Sequence, residues 1–146
     1  MAPKKEDEAA ALAGAMMALV RSFGLHRPHG TPCGRPIPVA EAHALTDLAT
    51  DGPMNQGELA RRLRLEKSTV SRLVRQLEKR RWIRRAGHAQ DGRVVLLQLT
   101  AEGRRAAERL GSARSAKFDQ LLAGIPKTKR AQILAALTTL VAAMED

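Results

Sequence analysis

A mainly α fold carrying one small β-hairpin is what the sequence predicts. Three observations lead there. Apolar residues recur at three- and four-residue spacings through most of the chain, the mark of helices with one buried face. Only Phe23, Trp82 and Phe118 are aromatic, so the core must be built from Leu, Val, Ile, Met and Ala, which suits packed helices better than a sandwich or barrel. The period changes once, in "RWIRRAGHAQDGRVVLLQLT", which reads as two short strands about a turn from Gly87 to Gly92. At 146 residues the chain can hold one domain with a real core.

Residues 6–23 form the first predicted helix, with Leu12, Met16, Leu19, Val20 and Phe23 recurring on one face and Gly24 ending it. An irregular connector follows, "HRPHGTPCGRP" from His26 to Pro36, stiffened by Pro28, Pro32 and Pro36. Pro38 is placed as the first residue of a second helix, Val39 to Thr50. "DGPMN" is a turn. A short helix covers 56–63, and another runs from about Lys67 to Arg80. After the hairpin, Thr100 is placed as the N-cap of a long helix reaching about Leu122, with Gly103 at its third position. "GIP" (124–126) breaks it, and a last helix, 127–144, carries Ile133, Leu137, Leu140, Val141 and Met144 on one stripe. The middle block is a helix-turn-helix followed by a β-hairpin, that is, a winged helix.

Charge narrows the function. The net charge is +10 and the isoelectric point near 11, which points to a polyanionic partner. Between Glu58 and Arg109 lie 15 basic residues and six acids, so that stretch holds nearly the whole excess. A single cysteine excludes an internal disulfide and any multi-cysteine zinc site, and suits a reducing compartment. The first twenty residues are not read as a signal peptide, because Glu6, Asp7 and Glu8 separate the lysines from the apolar run. No stretch approaches the roughly 18–20 apolar residues of a membrane span. A cytoplasmic protein without membrane contact is expected.

The segment "LARRLRLEKSTVSRLVRQLEKRRWIRR" carries the function. On its second helix Val70, Leu73, Val74 and Leu77 share one face, while Ser68, Arg72, Arg75 and Lys79 point the other way, flanked by Thr69, Ser71 and Gln76. Hydroxyls, guanidinium groups and an amide are the groups that contact base edges and phosphates in a major groove. The preceding helix would brace it through Leu59, Ala60 and Leu63. A merely solvated polar face is the simpler reading. The concentration of charge and the hairpin tip "GHAQDGR", which presents Arg93 toward a minor groove, argue beyond it.

With "ELARRLRLEKSTVSRLVRQLEKR" and "DGRVVLLQLTAEGRRAAERL" the sequence resembles the multiple-antibiotic-resistance-regulator (MarR) family of bacterial repressors over nearly its whole length. The resemblance implies a homodimer on double-stranded DNA at a pseudo-palindromic operator. Residues 6–23 and 101–146 would form the dimerisation helices and 39–100 the DNA-binding lobe, within a single 1–146 domain. Lys67, Ser68, Thr69, Ser71, Arg72, Arg75 and Gln76 would contact DNA, with Arg93 as the wing arginine and Asp91 orienting an arginine. A small-molecule effector or an oxidant would respace the two reading helices, and a pocket between the dimerisation helices and the lobe is implied. Two departures stand out. Arg81 occupies the position where the family has a left-handed glycine, at a cost of roughly 1 kcal/mol if that conformation is kept. The wing tip, Gly87 to Gln90, is unusually neutral.

Other chemistries are poorly supported. His26, His29, Cys33 and His43 include residue types that bind zinc or copper, but their spacing matches no strong ligand motif, and no cofactor is expected. His43 and Asp47 share a helix face, so Asp47 could orient the imidazole. Arg35 and the imidazoles could lower the Cys33 thiol pKa and make it a redox sensor, while a buried, inert cysteine fits equally well. A rigid connector is the default for this segment. No nucleophile elbow, phosphate loop or paired-carboxylate set points to an enzyme. The rivals are a nonspecific architectural DNA-binding protein, a metal- or redox-sensing regulator built on Cys33 and the nearby histidines, and an interaction module docking an acidic protein.

Overall fold

The computed structural model describes residues 4–145. Six helices and one two-stranded antiparallel sheet follow in the order α1 (Lys5–Phe23), α2 (Val39–Asp51), α3 (Gln56–Leu63), α4 (Lys67–Lys79), β1 (Ile83–Gly87), β2 (Val95–Leu99), α5 (Ala101–Ala123) and α6 (Lys127–Ala143). The fold is the mainly helical winged helix-turn-helix that the periodicity predicts. Gly24 ends α1 in the left-handed conformation, at φ 88°. Pro38 falls one residue earlier than placed from sequence. It is the extended N-cap of α2, at φ −59° and ψ 146°, not its first helical residue.

Packing centres on the lobe from α2 to β2. Leu45, Leu59, Val70, Val74, Leu77 and Leu97 are its largest fully buried side chains. Fully burying one such aliphatic group stabilises by about 1.5–3 kcal/mol, so this cluster dominates the stability of the lobe. The hairpin pairs Ile83 with Leu99 and Gly87 with Val95, and turns Ile83, Leu97 and Leu99 inward. A third contact supports it. Met54 and Leu97 exchange two backbone hydrogen bonds, of 3.2 and 2.8 Å, so the turn between α2 and α3 pairs with β2 and anchors the wing.

The outer helices differ. Neither α1 nor α6 buries a residue within the chain. Leu12, Met17, Leu19 and Val20 on α1 are exposed, as are Phe118, Leu121 and Leu122 on α5, Ile133, Leu134, Leu137 and Val141 on α6, and Met144 at its C-cap. These stripes do not cover one another. The attachments they do make are local. Phe23 meets Phe118 at a ring-centroid distance of 5.6 Å, and Arg130 donates to the carbonyls of Leu122 and Ile125 at the α5–α6 corner. Among the described residues no helix is long and apolar enough to cross a membrane.

Candidate nucleic-acid interface

Helix α3 is capped by Asn55, whose Oδ1 accepts from Glu58 N at 2.8 Å. It ends at Arg64, left-handed at φ 55°, which turns the chain sharply into α4. The N-cap of α4, Glu66, makes no side-chain capping bond, and the first turn of α4 contains no acid. The positive end of the helix is thus left for an external acceptor.

Burial divides α4 as its periodicity predicts. Val70, Leu73, Val74 and Leu77 are buried. Lys67, Ser68, Arg72, Arg75, Gln76 and Lys79 are exposed, while Thr69 and Ser71 are half-buried at the edges of the polar face. Not all of the basic residues nearby share that freedom. Arg62 bonds Asp51 at 2.5 Å and Glu58 at 3.2 Å. The Asp51 hydrogen bond, then that of Glu58, raises its pKa further above the ordinary guanidinium value. Arg64 pairs with Glu145 and Arg85 with Glu78. Charge counting from sequence overstated what is available to a polyanion; Lys67, Arg72, Arg75 and Lys79 of α4 are exposed and pair with no acid among the described residues.

The wing tip is a set of tight local turns. Asp91 Oδ1 accepts from the backbone N of Arg93 at 3.1 Å, and the Asp91 carbonyl accepts from Val94 N. Asp91 therefore does act on an arginine, but through the Arg93 main chain and not a guanidinium. Arg93 itself is exposed. At the root of the wing Arg84 reaches across to its strand partner Gln98, whose amide oxygen, oriented toward the guanidinium, accepts from Nε at 2.8 Å. If Arg93 contacts the phosphates or the minor groove, Arg93→Ala lowers both affinity and the slope of log K against log salt, the slope by about one unit. Titrations at several salt concentrations check this; an unchanged slope removes Arg93 from the interface.

Between reading helix and wing lies a close backbone crossing. Arg81 is left-handed, at φ 61°, so the strained conformation is kept without glycine. Its carbonyl accepts from Thr100 Oγ1 at 2.6 Å, and Thr100 N donates to Trp82 O at 3.0 Å. Thr100 Oγ1 also caps α5 by accepting from Gly103 N. Arg81→Gly is expected to stabilise the fold by about 0.5–1 kcal/mol, the left-handed penalty relieved less the larger chain entropy glycine loses on folding. Urea denaturation checks this: the midpoint moves up with an unchanged m-value, and their product rises by that amount.

The connector residues do not assemble as a metal site. His26 and His29 are exposed, and among the described residues no three His, Cys, Asp or Glu side chains gather to hold an ion. Cys33 is half-buried with Sγ 3.0 Å from Thr31 Oγ1, and only Cys33 and His43 of the four line a common cavity.

An exposed, cationic helix face beside a hairpin with an exposed arginine at its tip defines a winged helix-turn-helix DNA-binding protein. The comparisons narrow this. The MarR family model matches residues 37–95, the DNA-reading lobe. An HTH-type transcriptional regulator of Mycobacterium tuberculosis is 31% identical over 134 residues, covering 90% of this chain and 88% of that protein. The crystal structure of a probable transcriptional regulator from Pseudomonas aeruginosa superposes with a TM-score of 0.69 at 26% identity, over 86% of this chain and 92% of that one. Streptococcus pneumoniae FabT in complex with DNA shares the fold, with a TM-score of 0.69 at 21% identity, over 97% and 96% of the two chains. The chain belongs to the MarR family, and it is a DNA-binding transcriptional regulator rather than an enzyme.

Proposed function

We propose that the protein acts as a homodimeric repressor on a pseudo-palindromic operator and is released by a small-molecule effector. The observation that carries this reading is the apolar surface of α1, α6 and the distal half of α5, which the chain itself leaves bare. A second copy would cover it, with 6–23 and 101–146 as dimerisation helices and 39–100 as the reading lobe. Lys67, Ser68, Thr69, Ser71, Arg72, Arg75 and Gln76 enter the major groove, and Arg93 the minor groove. Two rigidly linked lobes read two half-sites.

The effector reading is supported by a cavity of about 220 Å³ where α1, the connector, α2 and α5 meet. Phe23, Leu25, Val39 and Phe118 give it apolar walls, and Arg114, Lys117 and His43 supply the polar groups. Such a lining suits a small apolar acid. Cys33 lines the same cavity, so an oxidant reaching its thiol would act at the same joint. Sedimentation of the free protein and of its complex with the operator tests the core of the proposal. Two chains per operator, and a dimer in the free protein at micromolar concentration, are expected. A monomer under both conditions would sink the dimer and with it the two-half-site reading.

A further inference from the structure

The connector borders two cavities. Thr31, Pro32 and Cys33 line the first, while Arg35, Pro36 and Ile37 line a second and smaller one of about 170 Å³. The rest of the second wall includes Arg80, Trp82, Arg109 and Leu110. Three arginines, Arg35 half-buried and Arg80 and Arg109 exposed, thus line one small cavity with an indole.

Arg80 is not part of the reading face. It is the C-cap of α4, three residues beyond Leu77 and seven beyond Leu73, and so on the side of the helix that carries the buried residues, although it is itself exposed. Its Nε sits 3.4 Å from Glu41, and its guanidinium stacks 5.0 Å from the centre of the Trp82 ring. Those two contacts hold the group in place and leave its terminal nitrogens without a carboxylate among the described residues. Glu41 is buried, and its Oε1 has no hydrogen bond. Arg35 is positioned through its main chain. Arg35 N donates to Thr31 Oγ1 at 3.0 Å, and Thr31 N donates to the Arg35 carbonyl at 2.9 Å. Neither Arg35 nor Arg109 pairs with a carboxylate among the described residues. Among the described residues Glu41 pairs with one of these three arginines, and the other two charges have no carboxylate partner.

Guanidinium groups recognise oxyanions through paired N–H donors, and a surplus of two charges matches a dianion better than a carboxylate. We propose that the cleft formed by Arg35, Arg80, Trp82 and Arg109 binds a phosphoryl group, from orthophosphate or from a small phosphate monoester. The bound group joins the connector, the end of the reading helix and α5. This assignment needs neither the dimer nor the effector described above. Trp82 is the only tryptophan and the chain has no tyrosine, so intrinsic fluorescence reports directly on this cleft.

The test titrates the full chain with orthophosphate at constant ionic strength, with benzoate and chloride as comparators. A saturable change in Trp82 emission is expected for orthophosphate and not for the comparators. In Arg109→Ala and in Arg35→Gln, checked for wild-type melting temperature, the half-saturation concentration rises about tenfold, the effect of one lost charge-assisted pair. A phosphate monoester run alongside separates the sources: tighter binding assigns a metabolite, equal or weaker binding assigns orthophosphate. An absent or linear response to orthophosphate, equal saturation by benzoate, or unchanged binding in both arginine variants overturns the site.

Discussion

Gly103→Ala is expected to destabilise the protein by about 3 kcal/mol, which for a chain of this size lowers the melting temperature by roughly 6–12 °C. A Cβ at position 103 would lie 1.9 Å from the carbonyl oxygen of Trp82 and 2.8 Å from its carbonyl carbon. Both are backbone atoms, so no side chain can swing away. Alanine is the better helix former by about 1 kcal/mol, and at an open site the same change would stabilise. The sign of the measured effect therefore decides whether α5 packs directly on the segment after the reading helix. Function should follow stability here. Thr100 and Gly103 set the distance between α5 and Trp82, and Trp82 leads into β1 of the wing. A wing displaced from α4 no longer meets the minor groove while α4 occupies the major groove. A thermal melt and an operator titration of the same variant check both effects. A variant as stable as wild type would mean that α5 stands off from Trp82.

Much of this architecture is legible from local chemistry. Helix ends at Gly24, at the "DGPMN" turn and at "GIP" agree with the structure, because Gly24 and Gly52 take a positive φ that other residues adopt only with strain and Pro126 cannot continue a helix. The buried face of α4 follows from a 3.6-residue period that tertiary contacts did not override. Thr100 capping Gly103 is likewise a matter of four residues. What escaped depends on residues far apart in sequence. Gly103 reads as an N-terminal helix residue until Trp82 is brought against it. Met54 reads as part of a turn until it pairs with Leu97. Arg62 and Arg64 count only toward the basic excess until the fold brings Asp51 and Glu145 against them. Buried Glu41 gives no sign on an otherwise ordinary helix, because its partner, Arg80, lies at the far end of α4 as its C-cap. The connector is expected from its prolines to be a rigid joint, and the structure adds a second restraint. Thr31 binds both the N–H and the carbonyl of Arg35.

Arg72→Ala should weaken binding to the operator by about 1–3 kcal/mol while leaving binding to random DNA nearly unchanged. The contrast matters more than the loss. Arg72 is exposed on the outward face of α4, one turn before Gln76 and one turn after Ser68, and it pairs with no acid among the described residues. A guanidinium there can reach the two acceptors of a guanine edge, or a phosphate. The two roles predict different results. A base contact contributes to discrimination, so its loss lowers the ratio of specific to nonspecific affinity by about ten- to a hundredfold. A phosphate contact contributes to both sequences alike and mainly reduces the salt slope. Gel-shift titrations of wild type and variant against the operator and a scrambled duplex, at two salt concentrations, separate them. Equal losses on both duplexes would place Arg72 on the backbone and hand specificity to Arg75, Gln76 or the hydroxyls of Ser68 and Thr69. A wild-type ratio near one would say that this cationic face coats DNA instead of reading it. The hairpin argues against that outcome. A chain that only coats DNA needs the positive charge, but it has no use for Asp91 holding the Arg93 backbone or for a wing tied through β2 to Met54 in the α2–α3 turn. Those contacts fix the angle between wing and helix, and a fixed angle is of use only where both must meet DNA in register.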